Sequence, residues 1–294
     1  MNYNSNSNVP PHLNQRSWLE FEEETASALC ESVSRELKRL SIKTSAKRVH
    51  DTRVALRRWD SVWNVLERDG WATKKYWKQV GKDLKTLRKL LGDLRDWDVN
   101  LETGRAYGLP QLVLNAWRED RGLVAKKVRG KLKHIDMDKL VKRLQKFIRT
   151  RPYELRREIA EQQLRRLAET AYSHLEPFLF ELEEEARKLE EEASNPPALH
   201  KLRLSIKAWR YFLTEYFGLT NLQLVRAQQI LGKYNDLIRI HGLLVNDERF
   251  AELAKDVIAR LSAQSEQHMK EFSDFRKALP YGLRPEVISH ETGE

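Results

Sequence analysis

The chain has 294 residues, enough for one large domain or two smaller ones, and its 53 Lys and Arg against 43 Asp and Glu give a formal net charge of +10. That excess on an otherwise mixed surface points to a polyanionic partner: nucleic acid, an anionic membrane surface or a phosphate polymer. The single cysteine, Cys30, excludes an intramolecular disulfide, no apolar run approaches the ~18 residues a bilayer span needs, and the polar start Met1-Asn2-Tyr3-Asn4 lacks a signal-peptide build, so the expected location is the reducing cytoplasm.

Residues 1–16 are rich in Asn and Ser, contain Pro10-Pro11, and are expected to form a disordered tail. A first helix is predicted from Ser17, as N-cap, to Leu40, with Glu20, Glu22, Glu23 and Glu24 in its opening turns, where negative charge suits the helix dipole. A second follows to Asp69 and is closed by Gly70. The third spans about Ala72 to Glu102 and stops before Gly104; the fourth spans Leu109 to Lys131. A shorter fifth is predicted from Met137 to Arg149, as a link that Pro152 interrupts. One long helix is expected from Tyr153 to Ala193, kinked at Pro177. The turn Ser194-Asn195-Pro196-Pro197 launches the next, which ends at Gly218. The last two are predicted over Asn221–Leu244 and Asp247–Leu279, before a loose tail over 279–294 marked by Pro280, Gly282 and Pro285. No alternating strand pattern of useful length occurs, so the expected fold class is all-α.

The second predicted helix is repeated. His50, Arg53, Arg57 and Trp59 are answered at a constant offset by His200, Arg203, Lys207 and Trp209. With His at zero and ~100° per residue, Arg53 and Arg203 fall near 300° and Arg57 and Lys207 near 340°, with Arg210 near 280°. The apolar residues Val49, Leu56, Trp59, Trp63 and Leu66 occupy the opposite face, as do Leu199, Leu202, Ile206, Trp209 and Leu213. A basic stripe alone reads as solvated surface. Two stripes in matching phase, each opened by His, point instead to an anion held between them.

The echo continues: Leu91-Gly92-Asp93-Leu94-Arg95-Asp96 is answered by Leu231-Gly232-Lys233-Tyr234-Asn235-Asp236. Each half then reads as helix, His helix, Leu-Gly helix and closing helix, giving two four-helix units. Gly92 and Gly232 each cost about 1 kcal/mol against Ala in mid-helix, so their repetition implies a close approach there, by another helix or by a ligand. The third helix carries Lys78, Lys82, Lys85, Arg88, Lys89 and Arg95 opposite Tyr76, Val80, Leu84, Leu87, Leu91 and Leu94. Asp96 lies within this stripe; it and Asp236 either pair within their own helix or accept from a His or Arg of a neighbouring helix and orient it. The second copy has Val225, Gln228 and Gln229 where the first has Lys85, Arg88 and Lys89, so unequal binding by the halves is expected.

Other clusters carry less. Lys139, Lys142, Arg143, Lys146 and Arg149 stripe the linking helix and are either solvated or in contact with ligand. The acidic run Glu181–Glu192 reads as a solvated face, without the geometry of a metal site. His50-Asp51 invites comparison with metal-dependent phosphohydrolases, yet His200 is followed by Lys201, a cation that repels a metal. No phosphate-binding Gly-rich loop and no Cys-x-x-Cys occurs. Trp59, Trp63, Trp77 and Trp209 lie on apolar faces as core, which counts against stacking of single-stranded bases.

These motifs, His50-x-x-Arg53-Val54-x-x-Arg57-Arg58, Leu91-Gly92-x-x-Arg95-Asp96-x-Asp98-Val99 and His200-x-x-Arg203-x-x-x-Lys207-x-x-Arg210-Tyr211, resemble the conserved histidine α-helical domain, the CHAD family, over about residues 17–278. The resemblance implies two pseudo-symmetric four-helix bundles (about 17–135 and 153–278, linked by about 137–150) with a basic groove or channel between them. It implies binding of inorganic polyphosphate without catalysis and association with polyphosphate granules, with no cofactor and no metal. The Glu-x-Glu-x-Lys strand of a fused triphosphate-tunnel enzyme is missing, so the chain looks like the stand-alone form. Matching positions give His50, Arg53, Arg57, Arg58, Lys85, Arg88, Lys89, Arg95, His200, Arg203, Lys207 and Arg210 as binding residues, joined by Lys82 of the third helix and Lys233 of the second Leu-Gly helix, with Asp96 and Asp236 as orienting residues. Two other classes stay open: a helical module that binds nucleic acid as a non-specific polyanion, and a metal-dependent phosphohydrolase.

Overall fold

The computed structural model describes residues 15–42, 45–72, 74–162, 170–193 and 195–279. Among them it has nine α-helices and no strand: α1 (Trp18–Ile42), α2 (Ala46–Arg68), α3 (Lys75–Ala106), α4 (Gln111–Leu132), α5 (Met137–Gln162), α6 (Ala171–Glu191), α7 (Pro196–Phe217), α8 (Leu222–Val245) and α9 (Lys255–Ala278). The fold is all-α, as its periodicity predicts. The expected tails lie outside the described residues, apart from Gln15, Arg16 and Leu279. The Arg16 carbonyl accepts from Ala171 N at 3.0 Å and its guanidinium pairs with Glu24.

Local chemistry sets most helix ends. The side chains of Ser45, Thr170, Asn195 and Asn221 each accept a hydrogen bond from a backbone N–H in the first turn of α2, α6, α7 and α8. Gly218 ends α7 in the left-handed conformation (φ 65°), which side-chain-bearing residues rarely adopt.

Four boundaries differ from the sequence expectation. The linking helix does not stop at Arg149; α5 continues through Pro152 to Gln162. Fully buried Arg151 holds the two sides of the proline together. Its guanidinium donates to the Gly70 carbonyl at 2.6 Å, to Glu154 at 3.2 Å and to both carboxylate oxygens of Glu158 at 2.9 and 2.7 Å. The long helix expected from Tyr153 to Ala193 is therefore divided: its start belongs to α5, residues 163–169 lie outside the described residues, and α6 begins afresh at the Thr170 cap. The last helix starts at Lys255, not Asp247. The Asp247 carboxylate accepts from Arg249 N at 3.1 Å and pairs with its guanidinium, closing a turn that delays the helix. In α3 the helix runs past Gly104, where a Cβ would stand 2.7 Å from Leu109 Cδ1. The glycine makes room for the chain to fold back.

Within each half, helices pack on their sequence neighbours: α1 on α2, α2 on α3, α3 on α4, and likewise α6 on α7, α7 on α8, α8 on α9. Across the halves the first three helices meet their counterparts, α1 with α6, α2 with α7 and α3 with α8, an order compatible with the expected pair of pseudo-symmetric bundles. One apolar core runs through both halves, and a second, smaller one joins the end of α3 and the start of α4 to α8 and α9. Helix α5 packs on α1 and α3, and its Phe147 is fully buried among Trp59, Trp63, Trp71 and Trp77 at ring separations of 5.3–6.4 Å. It is a core element of the first half rather than only a link.

Candidate polyanion site

The site is built on the contact between α2 and α7. The apolar stripes predicted for both helices are buried in the core, including Trp59 and Trp209. The two helices also pack on each other, and of their basic stripes Arg53 is buried and Arg57, Arg203, Lys207 and Arg210 are half-buried, while His50 and His200 are exposed. Arg53 is only 9% exposed. Its Nη1 donates to the Arg88 carbonyl on α3 at 2.8 Å. A Cβ at Gly92 would stand 2.9 Å from that nitrogen, so Gly92 clears the space in which the guanidinium lies. Gly232 has the matching relation to Arg203 with more room, 3.8 Å to Nε. The close approach implied by the two glycines is thus made by an arginine of the preceding helix, tightly in the first half and loosely in the second.

Like charges crowd this seam. Burial, then Arg57, Arg203, Arg53 and Arg210, push the Lys207 ammonium from its ordinary range down to about 7. Burial, then Arg57, lower Arg53 to about 10, with Asp96 opposing. Arg203 is lowered chiefly by burial, against the pull of Asp236. Arg57 acts on all three and so stands at the centre of the group. Cations from two helices therefore destabilise one another, and an anion among them would relieve this.

The nearby carboxylates are already engaged. Asp60 on α2 lies 2.5 Å from Arg88 Nε. Asp96 and Asp236 both meet Arg239 of α8, at 3.4 and 3.5 Å. Asp96 therefore pairs with an arginine of a neighbouring helix, whereas Asp236 pairs within its own. His200 is held instead by Asn235, Nδ1 to Oδ1 2.7 Å. His50 is exposed and has Arg95 where the repeat would supply that amide; burial, then Arg95, lower its pKa.

The other predicted residues fall into two groups. Lys82, Lys85, Lys89 and Lys233 are exposed. Arg95 is half-buried, 3.8 Å from Glu102, and with Lys233, Asp236 and His268 lines a shallow depression between α3, α8 and α9. Arg58, in contrast, is committed to Glu215 on α7 by two bonds, Nε to Oε1 2.5 Å and Nη2 to Oε2 2.8 Å. It pins α2 to α7 and its charge is balanced. Arg210 donates to Gln228 Oε1 at 2.8 Å and stacks on Tyr211.

Asp60, Glu215, Gln228, Asn235 and Arg239 were missed from sequence. Arg57–Asp60 and Asp236–Arg239 at i,i+3 spacing carried a usable signal; Glu215 carried none. The acidic run also needs correction at Glu190, which is buried and pairs with Arg276 of α9 at 3.4 Å. In the linking-helix stripe, Arg143 pairs with Asp83 of α3 at 2.9 Å, while Lys139, Lys142 and Arg149 are exposed.

Outside the seam, Glu22, Asp69 and His174 bring one ligand-type atom each within 4.8 Å of one another. Trp71 Nε1 donates to Glu22 at 2.7 Å, His174 Nε2 lies 2.9 Å from Asp69, and the imidazole stacks on Trp18. This buried network ties α6 to α1 and to the end of α2.

The model of the CHAD domain matches residues 26–245. The chain belongs to the CHAD family. Among solved structures, the CHAD domain from the plant Ricinus communis is similar over 92% of this chain and 94% of its own, with a TM-score of 0.59 and 22% identity. PptA from Streptomyces chartreusis is similar over 89% of this chain and 100% of its own, with a TM-score of 0.60 and 13% identity. At those identities the likeness speaks for the CHAD fold alone. No curated protein matches the sequence. No helix among the described residues is long and apolar enough to cross a membrane.

Proposed function

We propose that this CHAD protein binds inorganic polyphosphate along the α2–α7 seam without hydrolysing it, and that it works on polyphosphate granules. The observation that carries this reading is the group Arg53, Arg57, Arg203, Lys207 and Arg210, cations of two helices that act on one another while Asp60, Asp96 and Asp236 are held by Arg88 and Arg239. Polyphosphate carries about one negative charge per residue and no bases to read. A rigid cluster of guanidinium forks and an ammonium group suits it. Binding of such a chain is driven in large part by release of its counterions. The surroundings of the histidines support binding over hydrolysis: Arg95 and Arg57 stand near His50, and Lys201 follows His200, charges that repel a catalytic metal cation.

The test is competition at matched ionic strength between long-chain polyphosphate, duplex DNA and RNA for the purified protein, with phosphate release followed in Mg²⁺ and Mn²⁺. Polyphosphate is expected to displace both nucleic acids at a lower charge concentration, with no phosphate released. Equal displacement by all three would reduce the site to a general polyanion surface, and chelator-sensitive phosphate release lost in His50→Ala would establish an enzyme.

A further inference from the structure

We propose that the corner formed by α4 and α5 is a second polyanion face, which holds the part of a long polyphosphate chain that runs out of the α2–α7 seam. The inference rests on the reading of the seam as the polyanion site. Residues 126–149 comprise the end of α4, the turn after it and the first half of α5. They carry ten Lys and Arg against two Asp, a net +8 of the whole chain's +10, so the remainder is close to neutral. The charge excess of this protein sits at the corner and not in the seam.

Packing turns that charge outward. Ala125 and Val128 of α4 and Leu140, Val141, Leu144 and Phe147 of α5 are buried in the larger core. On the faces left over, Lys126, Lys127, Arg129, Lys131 and Lys133 are exposed along α4 and its C-cap. Lys139, Lys142 and Arg149 are exposed along α5. Among the described residues, no carboxylate lies within 4.0 Å of the charged group of any of these eight. Asp136 accepts from the Lys139 backbone N–H at 2.8 Å and serves the start of α5. Exposed arginines elsewhere are matched: Arg68 by Glu181 at 2.7 Å, Arg156 by Glu23 at 2.8 Å and Arg187 by Glu184 at 3.0 Å. An ordinary solvated surface intersperses its signs in that way, whereas an unmatched field of one sign attracts a polyanion.

Continuity with the seam selects polyphosphate among polyanions. On α3, Asp83 pairs with Arg143 of α5 at 2.9 Å, while Arg88 pairs with Asp60 of α2 at 2.5 Å. Helix spacing places exposed Lys82, Lys85 and Lys89 on the solvent face between those two contacts. A row of lysines therefore leads from α2 to α5, and the two carboxylates beside it are already paired. A phosphate chain leaving the seam over α3 then meets a stripe on α5 about 15 Å long from Lys139 to Arg149, at 1.5 Å per residue. The two faces differ in chemistry. The seam offers guanidinium forks in partly buried positions, and the corner offers mostly lysine point charges in open water. A long chain gains a second, intramolecular attachment there, while a chain that only fills the seam gains nothing.

The experiment is titration of the full chain with long-chain polyphosphate and with chains of about ten phosphates, enough for the seam alone, across a range of salt. Two variants each lose four charges: Lys127→Gln/Lys131→Gln/Lys139→Gln/Lys142→Gln at the corner, and Lys188→Gln/Lys255→Gln/Lys270→Gln/Lys277→Gln on α6 and α9. All eight positions are exposed, so both variants should fold, which circular dichroism checks. The corner variant is expected to bind long chains about tenfold or more weakly, with a log–log salt slope shallower by about 2–4. It should bind the short chain within about twofold of the wild type, and the α6/α9 variant should match the wild type on both ligands, because distant exposed charges are screened. Unchanged long-chain affinity and slope in the corner variant, or an equal loss in the α6/α9 variant, overturns the second face and leaves the seam standing. Corner-dependent binding of duplex DNA or anionic vesicles that is tighter than that of polyphosphate at matched charge also overturns it, by giving the face to another partner. A wild type that fails to bind the short chain removes the seam reading itself.

Discussion

Replacing Gly92 with alanine tests the arginine cradle directly. The new methyl group would stand 2.9 Å from Arg53 Nη1, so the guanidinium must shift, and because Arg53 is buried the expected result is loss of its bond to the Arg88 carbonyl. Alanine stabilises a helix interior by about 1 kcal/mol over glycine. Loss of a hydrogen bond from a charged, buried donor costs about 1.5–3 kcal/mol. The net expectation is destabilisation by about 0.5–2 kcal/mol, the difference of those two effects. Gly232→Ala gains the same helix preference but meets Arg203 Nε at 3.8 Å, an ordinary contact, so it is expected to stabilise by about 1 kcal/mol. Urea denaturation at pH 7 separates the two variants, provided the slopes with denaturant are unchanged. A parallel polyphosphate titration should find Gly92→Ala the weaker binder, because Arg53 has been moved. Equal stabilisation by both alanines would mean that the guanidinium relaxes freely, and Gly92 would have no role in placing it.

Two further outcomes are expected. The triple substitution Lys85→Ala/Arg88→Ala/Lys89→Ala should weaken polyphosphate binding more than Gln228→Ala/Gln229→Ala does, because the first removes two exposed lysines and the half-buried Arg88 that holds Asp60, and the second only amides; titration of both folded variants at two salt concentrations checks it, and equal losses would make the α3 stripe ordinary solvated surface. Arg58→Ala should lower stability by about 1–3 kcal/mol in thermal or urea unfolding, because it strands Glu215, a side chain only 5% exposed, and the figure is discounted because Arg58 itself is partly solvated. Its effect on polyphosphate affinity should be smaller than that of Arg57→Ala, and the reverse ranking would return Arg58 to the binding surface.

The helices and the site's centre were legible in sequence because the chain repeats itself. A single basic stripe is ambiguous, but two in phase with buried Trp59 and Trp209 placed α2 and α7 as equivalent helices. The same repetition marked Gly92 and Gly232, though not what approaches them. What stayed hidden depends on contacts between residues far apart in the chain. Nothing near Arg58 announces Glu215, so its commitment to an ion pair could not be read locally. Pro152 looks like a break because local rules treat proline as one, and only the buried hydrogen bonds of Arg151 to Gly70, Glu154 and Glu158 hold the helix through it. A helical wheel has no neighbours in it; it placed Arg53 away from the apolar face, whereas the packing of α2 against α3 and α7 buries it.

The most direct test of the α2–α7 seam as the polyanion site is the salt dependence of polyphosphate binding by the wild type and by Arg57→Ala/Arg203→Ala. If the seam contacts about 6–10 phosphates, wild-type affinity should fall by orders of magnitude between 50 and 200 mM salt, by analogy with DNA. The double variant, lacking one central cation from each His helix, should bind more weakly and show a log–log slope shallower by about 1.5–2. An unchanged slope with unchanged affinity, in a variant whose helical content matches the wild type, would place the polyanion elsewhere on the molecule.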